Sequence, residues 1–270
     1  MLIEPGFRIP LHAAPEVKAA LAEALGPAAS LPGLLPLREV LGMVGAHEWR
    51  VRGVDVPALS ARIFPRYGVF APVRGEHVDL VAEAARRWPV QGKRALDVGT
   101  GTGVLAFVLA RAGATVTATD LSPAALASCL EDAGRLGLAG QVTPVQADLF
   151  AAGRFDLVVC NPPWLPAEAV TPLDHAIYDT GGAFLAGLLA GLRGHLSPGG
   201  ECWLVLSDLA ERLGLRRPGE VEAQLAAAGL ELAGGFEAVP SHPRARDEHD
   251  PLHEARSKEI TSLRRLVPAG

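Results

Sequence analysis

From residue 74 onward the sequence predicts an α/β protein built on a largely parallel sheet with helices on both faces. Three observations carry this reading. Short apolar runs alternate with helix-period stretches of ten or more residues. A glycine-rich turn, "LDVGTGTGVLA" (96–106), closes one such run and opens a helix. The last two runs, 230–239 and 261–267, have no helical pattern between them, only the charged segment 240–259, which predicts an antiparallel pair at the sheet edge.

Before that point the texture differs, and residues 1–66 are read as an N-terminal accessory domain of helices and a hairpin, with 67–270 a second domain. "PEVKAALAEAL" (15–25) and "PLREVLGMVGAHEW" (36–49) open with proline and carry apolar residues at helical spacing. "WRVRGVDVP" alternates at period two and predicts a short hairpin with the "ARIFPRYGVFAP" that follows.

In the second domain, "EHVDLVAEAARRW" (76–88) lines Val78, Val81, Ala82, Ala85 and Trp88 along one helical face. Then come a strand (94–99), a helix (104–113) and a strand (114–120). The helix 122–137 has Ser122 as its N-cap and Pro123 at its first position. The strand 141–148 contains Pro144, which removes a ladder donor and places it at an edge or bulge. A strand (155–161), a helix (181–196) and a strand (200–207) complete the alternation.

Composition narrows the function. With 49% apolar and 20% charged residues the chain has ample material for a core. A net charge of −5 argues against broad electrostatic capture of nucleic acid. The three cysteines, Cys129, Cys160 and Cys202, form no C-x-x-C pair, so neither a disulfide framework nor a zinc site is expected. The opening segment shows no basic region followed by an apolar run, and no apolar stretch reaches roughly 20 residues. The expectation is a soluble, cytoplasmic protein with reduced thiols and no membrane partner.

The glycine turn is where a nucleotide would sit. Gly99, Thr100, Gly101 and Gly103 let a ligand approach the backbone, and the following helix offers free N–H groups. The motif alone is ambiguous: Gly101-x-Gly103-x-x-Ala106 also fits a dinucleotide site, with Asp120 at the ribose distance. Three features favour another ligand. Asp97, just before the first glycine, suits an ammonium group better than a pyrophosphate. Asp148 ends the third strand, positioned for an exocyclic adenine amine. "NPPW" (161–164) ends the fourth, and in open α/β sheets ligands bind at this carboxyl edge.

On these residues the chain resembles the class I S-adenosylmethionine-dependent methyltransferases, in the branch with an Asn-Pro-Pro-aromatic motif. That branch includes the release-factor glutamine methyltransferases and the "methyltransferase small" enzymes. The likeness covers about 64–267 and includes "YDTGGAFLAGLL" (178–189) and "LSPGGE" (196–201). Where release-factor enzymes carry an Ile-Pro-Arg-Pro-Glu-Thr-like segment, this chain has "FAPVRGEHV" (70–78). The resemblance implies a Rossmann-like seven-stranded sheet in the order 3-2-1-4-5-7-6 with strand 7 antiparallel, and S-adenosyl-L-methionine as cofactor. It implies cofactor roles for Asp97, Gly99 and Gly101, for Asp120 beside Leu121 at the ribose, and for Asp148 with Leu149 at the adenine. Residues 1–66 would then select the substrate.

The reaction expected is methyl transfer to a planar nitrogen. Such a nitrogen is a poor nucleophile, so catalysis is mainly positioning. The Asn161 side-chain oxygen and the Pro162 carbonyl would accept its N–H groups, with Asn161 also facing the cofactor, and Trp164 would stack on the substrate or lie near the sulfonium. Tyr178 is a further candidate for substrate contact, as is Ser207. Arg74 is a candidate for the cofactor's carboxylate. Cys160 reads as a buried small side chain. The histidines of "SHPRARDEHDPLHEAR" (241–256), His242, His249 and His253, fit no metal-ligand spacing and read as a solvated loop near the mouth. Protein glutamine, a nucleobase and a small metabolite stay open as acceptors. Alternatives are an enzyme of this fold that cyclises the cofactor itself, releasing methylthioadenosine, a non-catalytic binding module, and a nicotinamide oxidoreductase.

Overall fold

The described residues of the chain, in a computed structural model, are 7, 15–26, 33–168, 176–240 and 252–270. Helices α1 (Pro15–Leu25) and α2 (Leu37–Arg52) pair ahead of a hairpin of β1 (Val54–Val56) and β2 (Ala61–Ile63). The period-two reading of 49–52 is corrected: these residues finish α2, which ends at Gly53 in a positive-φ conformation. Packing divides this N-terminal part. Ala20, Leu21, Val40, Met43 and Phe7 form a small core of their own. Val54, Val56, Leu59 and Ile63 of the hairpin segment instead join the main core.

The rest follows the alternation: α3 (Glu76–Arg87), β3 (Arg94–Val98), α4 (Val104–Arg111), β4 (Thr115–Asp120), α5 (Pro123–Arg135), β5 (Val142–Gln146) and β6 (Phe155–Cys160). Helix α6 (Ala183–His195), β7 (Leu196–Ser207), α7 (Leu209–Arg212), α8 (Glu220–Ala227), β8 (Leu230–Ala238), α9 (His253–Ser257) and β9 (Thr261–Pro268) complete it. The strand order is β5-β4-β3-β6-β7-β9-β8, with β9 antiparallel to both neighbours and the other ladders parallel. Counting β3 as the first strand, this is the expected 3-2-1-4-5-7-6 sheet.

Side-chain alternation explains the layers. Ala95, Leu157, Val159, Trp203 and Val205 face the core under α3 and α4, while Leu96, Val158, Cys160, Cys202 and Leu204 face the core under α6 and α8. The central strands are therefore buried on both faces and largely apolar, with Asp97 a buried exception in β3. Pro144 sits in β5, which is an edge strand, so the missing N–H costs no ladder bond on its open side. Ser122 caps α5 as expected, accepting from the Ala125 N–H, with Pro123 at the first position. Helix α8, which buries Val221 and Leu225, has no counterpart in the sequence pattern read above, nor has the five-residue α9 within 240–259. The N-terminal helices are tied on through α5: Glu131 bonds both Arg50 and Arg66, and the Phe64 N–H donates to the buried Asp132 carboxylate at 2.8 Å.

The chain leaves β3 toward β4 on one side and later returns to β6 on the other. That reversal opens a crevice at the carboxyl ends of these strands.

Candidate active site

The crevice holds a cavity of about 620 Å³, and its walls come from the ends of β3, β4, β5 and β6, the loop before α3, and the start of α6. The glycine turn forms its floor. Gly101 has φ +54 and nothing within 4 Å of a hypothetical Cβ, so its backbone is open toward the cavity. Gly103 differs. At φ +87, a Cβ there would meet Cys129 Sγ and the Phe107 ring at 2.6 Å, and Gly103 does not line the cavity. Its lack of a Cβ permits close packing of α4 on α5.

Asp97 is 1% exposed and accepts from Thr100 Oγ1 at 2.6 Å and from the Ala106 N–H at 3.1 Å. Burial pushes its carboxyl up to about 7, with Asp120 adding to the shift while the two hydrogen bonds oppose it. Asp120 at the end of β4 braces the turn, accepting from the Gly101 N–H at 3.0 Å and the Ser122 N–H at 2.8 Å. Leu121 lies exposed beside it on the wall. Past β5, Asp148 is exposed to the cavity, and Leu149 is held at φ +61 with its carbonyl accepting from Thr119 Oγ1 at 2.6 Å. A leucine in the left-handed region is costly and persists only where surroundings impose it.

At the end of β6, Asn161 and Pro163 line the cavity, whereas Pro162 and Trp164 do not. The Trp164 indole N–H donates to Asn161 Oδ1 at 2.9 Å, and its ring packs against the core under α6. The ring, expected to stack on a cavity ligand, lies beside Asn161 and off the lining of the cavity, held by this bond and by core packing. The chain beyond is pinned by a parallel bridge between Leu165 and Tyr178, with the Asp179 N–H donating to the Leu165 carbonyl at 2.8 Å. Tyr178 thereby reaches the cavity wall. Asp179 is buried and caps α6, accepting from the N–H groups of Phe184 at 2.8 Å and Leu185 at 3.0 Å.

Thus Asp97, Gly99, Thr100, Gly101, Asp120, Leu121, Asp148, Leu149, Asn161 and Tyr178 all meet in one cavity. Others do not. Ser207 is buried, donates to Glu259 at 2.6 Å and lies away from the cavity. Arg74 bonds Glu259 at 3.1 Å, so its charge is engaged before it can serve a ligand carboxylate. His242 and His249 fall outside the described residues, and among the described residues no cluster of metal-ligating side chains occurs. Cys160 is fully buried and its thiol is pushed well up by burial.

Sequence reasoning missed His77 and Phe184. Phe184 lies against Gly99, 3.3 Å from where a Cβ would stand, and its signal was the "GGAF" helix start. His77, in the first turn of α3, is pushed down to about 4, chiefly by burial, so it is a neutral imidazole on the wall. No sequence signal marked it. Among the described residues, the lining side chains include four carboxylates, Asp97, Asp120, Asp148 and Asp179, and no lysine or arginine. Such a set of carboxylates suits a ligand bearing positive charge better than a pyrophosphate.

A family model described as "Methyltransferase small domain" matches residues 77–212, half of the chain. A release factor glutamine methyltransferase of Deinococcus radiodurans is 38% identical over 186 residues, covering 64% of this chain and 62% of that protein. One from Moorella thermoacetica is 34% identical over 187 residues, covering 61% of this chain and 65% of its own length. The chain therefore spans a little under two thirds of these relatives. Among solved structures, a putative RNA methyltransferase from Pyrococcus horikoshii superposes with a TM-score of 0.53 at 16% identity, over 83% of this chain and 98% of that one. That likeness is one of fold.

Proposed function

The chain belongs to the methyltransferase small domain family, and from that premise we propose that it transfers a methyl group from S-adenosyl-L-methionine to the side-chain amide nitrogen of a protein glutamine. The observation that carries the reading is the wall of the cavity. A buried carboxylate at the glycine turn and an asparagine at the neighbouring strand's end share one cleft, and among the described residues no lysine or arginine lines it.

The residues present fit the cofactor. Asp97 and the open backbone at Gly101 suit its ammonium-bearing end, Asp120 its ribose hydroxyls, and Asp148 with the left-handed Leu149 its adenine. When bound, this group supplies an electrophilic methyl on a sulfonium. The protein's work is then to present the nucleophile. Asn161 Oδ1 and the carbonyl of Pro162, a buried residue between the lining residues Asn161 and Pro163, accept the N–H groups of the acceptor amide and orient its lone pair along the cleft. Neither oxygen is basic enough to remove a proton. Their dipoles stabilise the positive charge that builds on the nitrogen, and proline's fixed φ keeps the carbonyl aimed. His77, neutral over the working range, adds no competing charge. Residues 1–66, whose helices α1 and α2 pack on a small core apart from the main one, are the part assigned to acceptor selection.

The test is to incubate the protein and cofactor with a bacterial peptide-chain release factor and map the product by mass spectrometry. One added methyl on a glutamine, with adenosylhomocysteine formed only when the release factor is present, is the expected result. Methylthioadenosine formed without any acceptor overturns methyl transfer in favour of cofactor cyclisation.

A further inference from the structure

The carboxamide of Asn161 can turn by half a revolution and exchange its oxygen for its NH₂ group, and the two states are opposite in meaning to an incoming amide. With the oxygen presented, an acceptor N–H is accepted. With the NH₂ presented, two donors face each other. The indole of Trp164 decides between them, because an indole N–H donates and never accepts. At 2.9 Å from Asn161 Oδ1, it selects the state in which the oxygen accepts from the indole, and Asn161 itself lines the cavity.

Beside the indole stands a string of charge, its carboxylates buried and Arg74 partly so. The Arg74 guanidinium lies 5.8 Å from the Trp164 ring centroid. Arg74 is in turn held by Glu259, which is fully buried and reached at 3.1 Å, and by Glu76 at 3.7 Å, 6% exposed. Ser207 completes the string by donating to the other oxygen of Glu259 at 2.6 Å. These residues come from the loop before α3, the end of β7 and the turn before β9, so three distant parts of the chain brace one ring.

We propose that Trp164 is a positioning residue that acts through Asn161: its indole N–H, with the ring clamped by Arg74, holds the carboxamide oxygen toward the acceptor. This rests on the reading of Asn161 as the acceptor-binding residue, so the experiment separates the two. Trp164→Phe keeps a ring and deletes the donor, and β-(3-benzothienyl)alanine at 164 deletes it with nearly the same shape.

Both variants are expected to lower kcat on a bacterial release factor about tenfold, the scale of one lost hydrogen bond acting on a competing orientation, with acceptor KM moving less than about threefold. Cofactor affinity by calorimetry and the thermal midpoint of the isostere stay unchanged. In the ¹⁵N spectrum of the protein alone, the Trp164 indole N–H, identified by its loss in Trp164→Phe, moves upfield in Asn161→Ala. An isostere with unchanged kcat, or a raised acceptor KM at constant kcat, overturns the proposal, the latter by showing that the ring stacks on substrate. An indole resonance indifferent to Asn161→Ala overturns it too. If Asn161→Ala itself keeps full turnover, the underlying reading of Asn161 has failed instead.

Discussion

The two halves of the cleft are built in different ways. On the side of β3 and β4, each carboxylate is held within the β3–β4 unit itself: Asp97 by the Thr100 hydroxyl and the Ala106 N–H, Asp120 by the N–H groups of Ser122 and Gly101. On the side of β6, the parts are held by partners far along the chain. Leu165 pairs with Tyr178, and Arg74 reaches Glu259 across 185 residues to back the Trp164 ring. A turn that satisfies its own polar groups is rigid before any ligand arrives. A corner assembled from remote segments is positioned only once the whole sheet has formed, and each tie is a place where it can be loosened. The first half is expected to control affinity for the cofactor, and the second to control the rate.

Substitutions that separate affinity from rate break this comparison most directly. Asn161→Ala, on the β6 side, is expected to lower kcat by about 10³-fold, the scale of removing a preorganised charge-stabilising group, while cofactor affinity by calorimetry stays within about threefold. Equal losses in both would merge the two halves into one. Asp97→Asn is the converse. It keeps a hydrogen-bonding group of the same size but removes the negative charge. Without that charge-assisted hydrogen bond in a buried site, cofactor binding is expected to weaken about 100-fold. With saturating cofactor its kcat should recover to within about fivefold of the parent.

Two glycines in one turn sharpen the contrast between binding and packing. Gly103→Ala drives a methyl into Cys129 and Phe107 at a positive-φ position and is expected to cost about 2–4 kcal/mol in chemical denaturation. Gly101→Ala meets open space, so only its backbone strain of about 1 kcal/mol should appear in stability, and the added methyl should instead register as weaker cofactor binding. A similar stability loss for both would mean that Gly101 is a packing residue as well.

The same difference decides what the sequence could reveal. The β3–β4 side was legible because its elements carry their own signals: an apolar run, a glycine turn, an aspartate at each strand end. Ser122 and Pro144 were readable for the same reason, since a cap and an edge proline act within a few residues. Helix α8 went unread although Val221 and Leu225 sit at helical spacing, because its single apolar stripe is short and follows a charged stretch. The packing role of Gly103 was not legible, because a glycine needed by Phe107 and one needed by a ligand look alike in a motif. The true environments of Trp164 and Arg74 depend on Glu259, and no local pattern links residues that far apart. Period-two alternation at 49–52 lost to the helix already running from Leu37.

The smallest expected effect concerns pH, and it isolates the β3 side by itself. With its pKa near 7 in the ligand-free protein, Asp97 is largely protonated at pH 6 and largely ionised at pH 8. A ligand with an ammonium group binds the ionised form, so binding must first expel the proton at lower pH. Cofactor affinity is therefore expected to be flat just above pH 7 and to fall toward tenfold per unit as pH drops further below it, with proton release on binding visible as a buffer-dependent heat. His77 does not blur this window, since it is neutral above about 4, and the Cys129 thiol, pushed to about 12, stays protonated throughout. Folding stability should move the opposite way. The folded state keeps the Asp97 proton that the unfolded chain loses near 4, so this group's contribution is present below that pH and is lost as pH rises to about 7. Asp97→Asn should flatten both profiles over the same interval. If affinity instead stays level from pH 5 to 8 in the parent protein, the buried carboxylate does not meet the charged end of the ligand, and the rigid half of the cleft serves as scaffold rather than as a binding group.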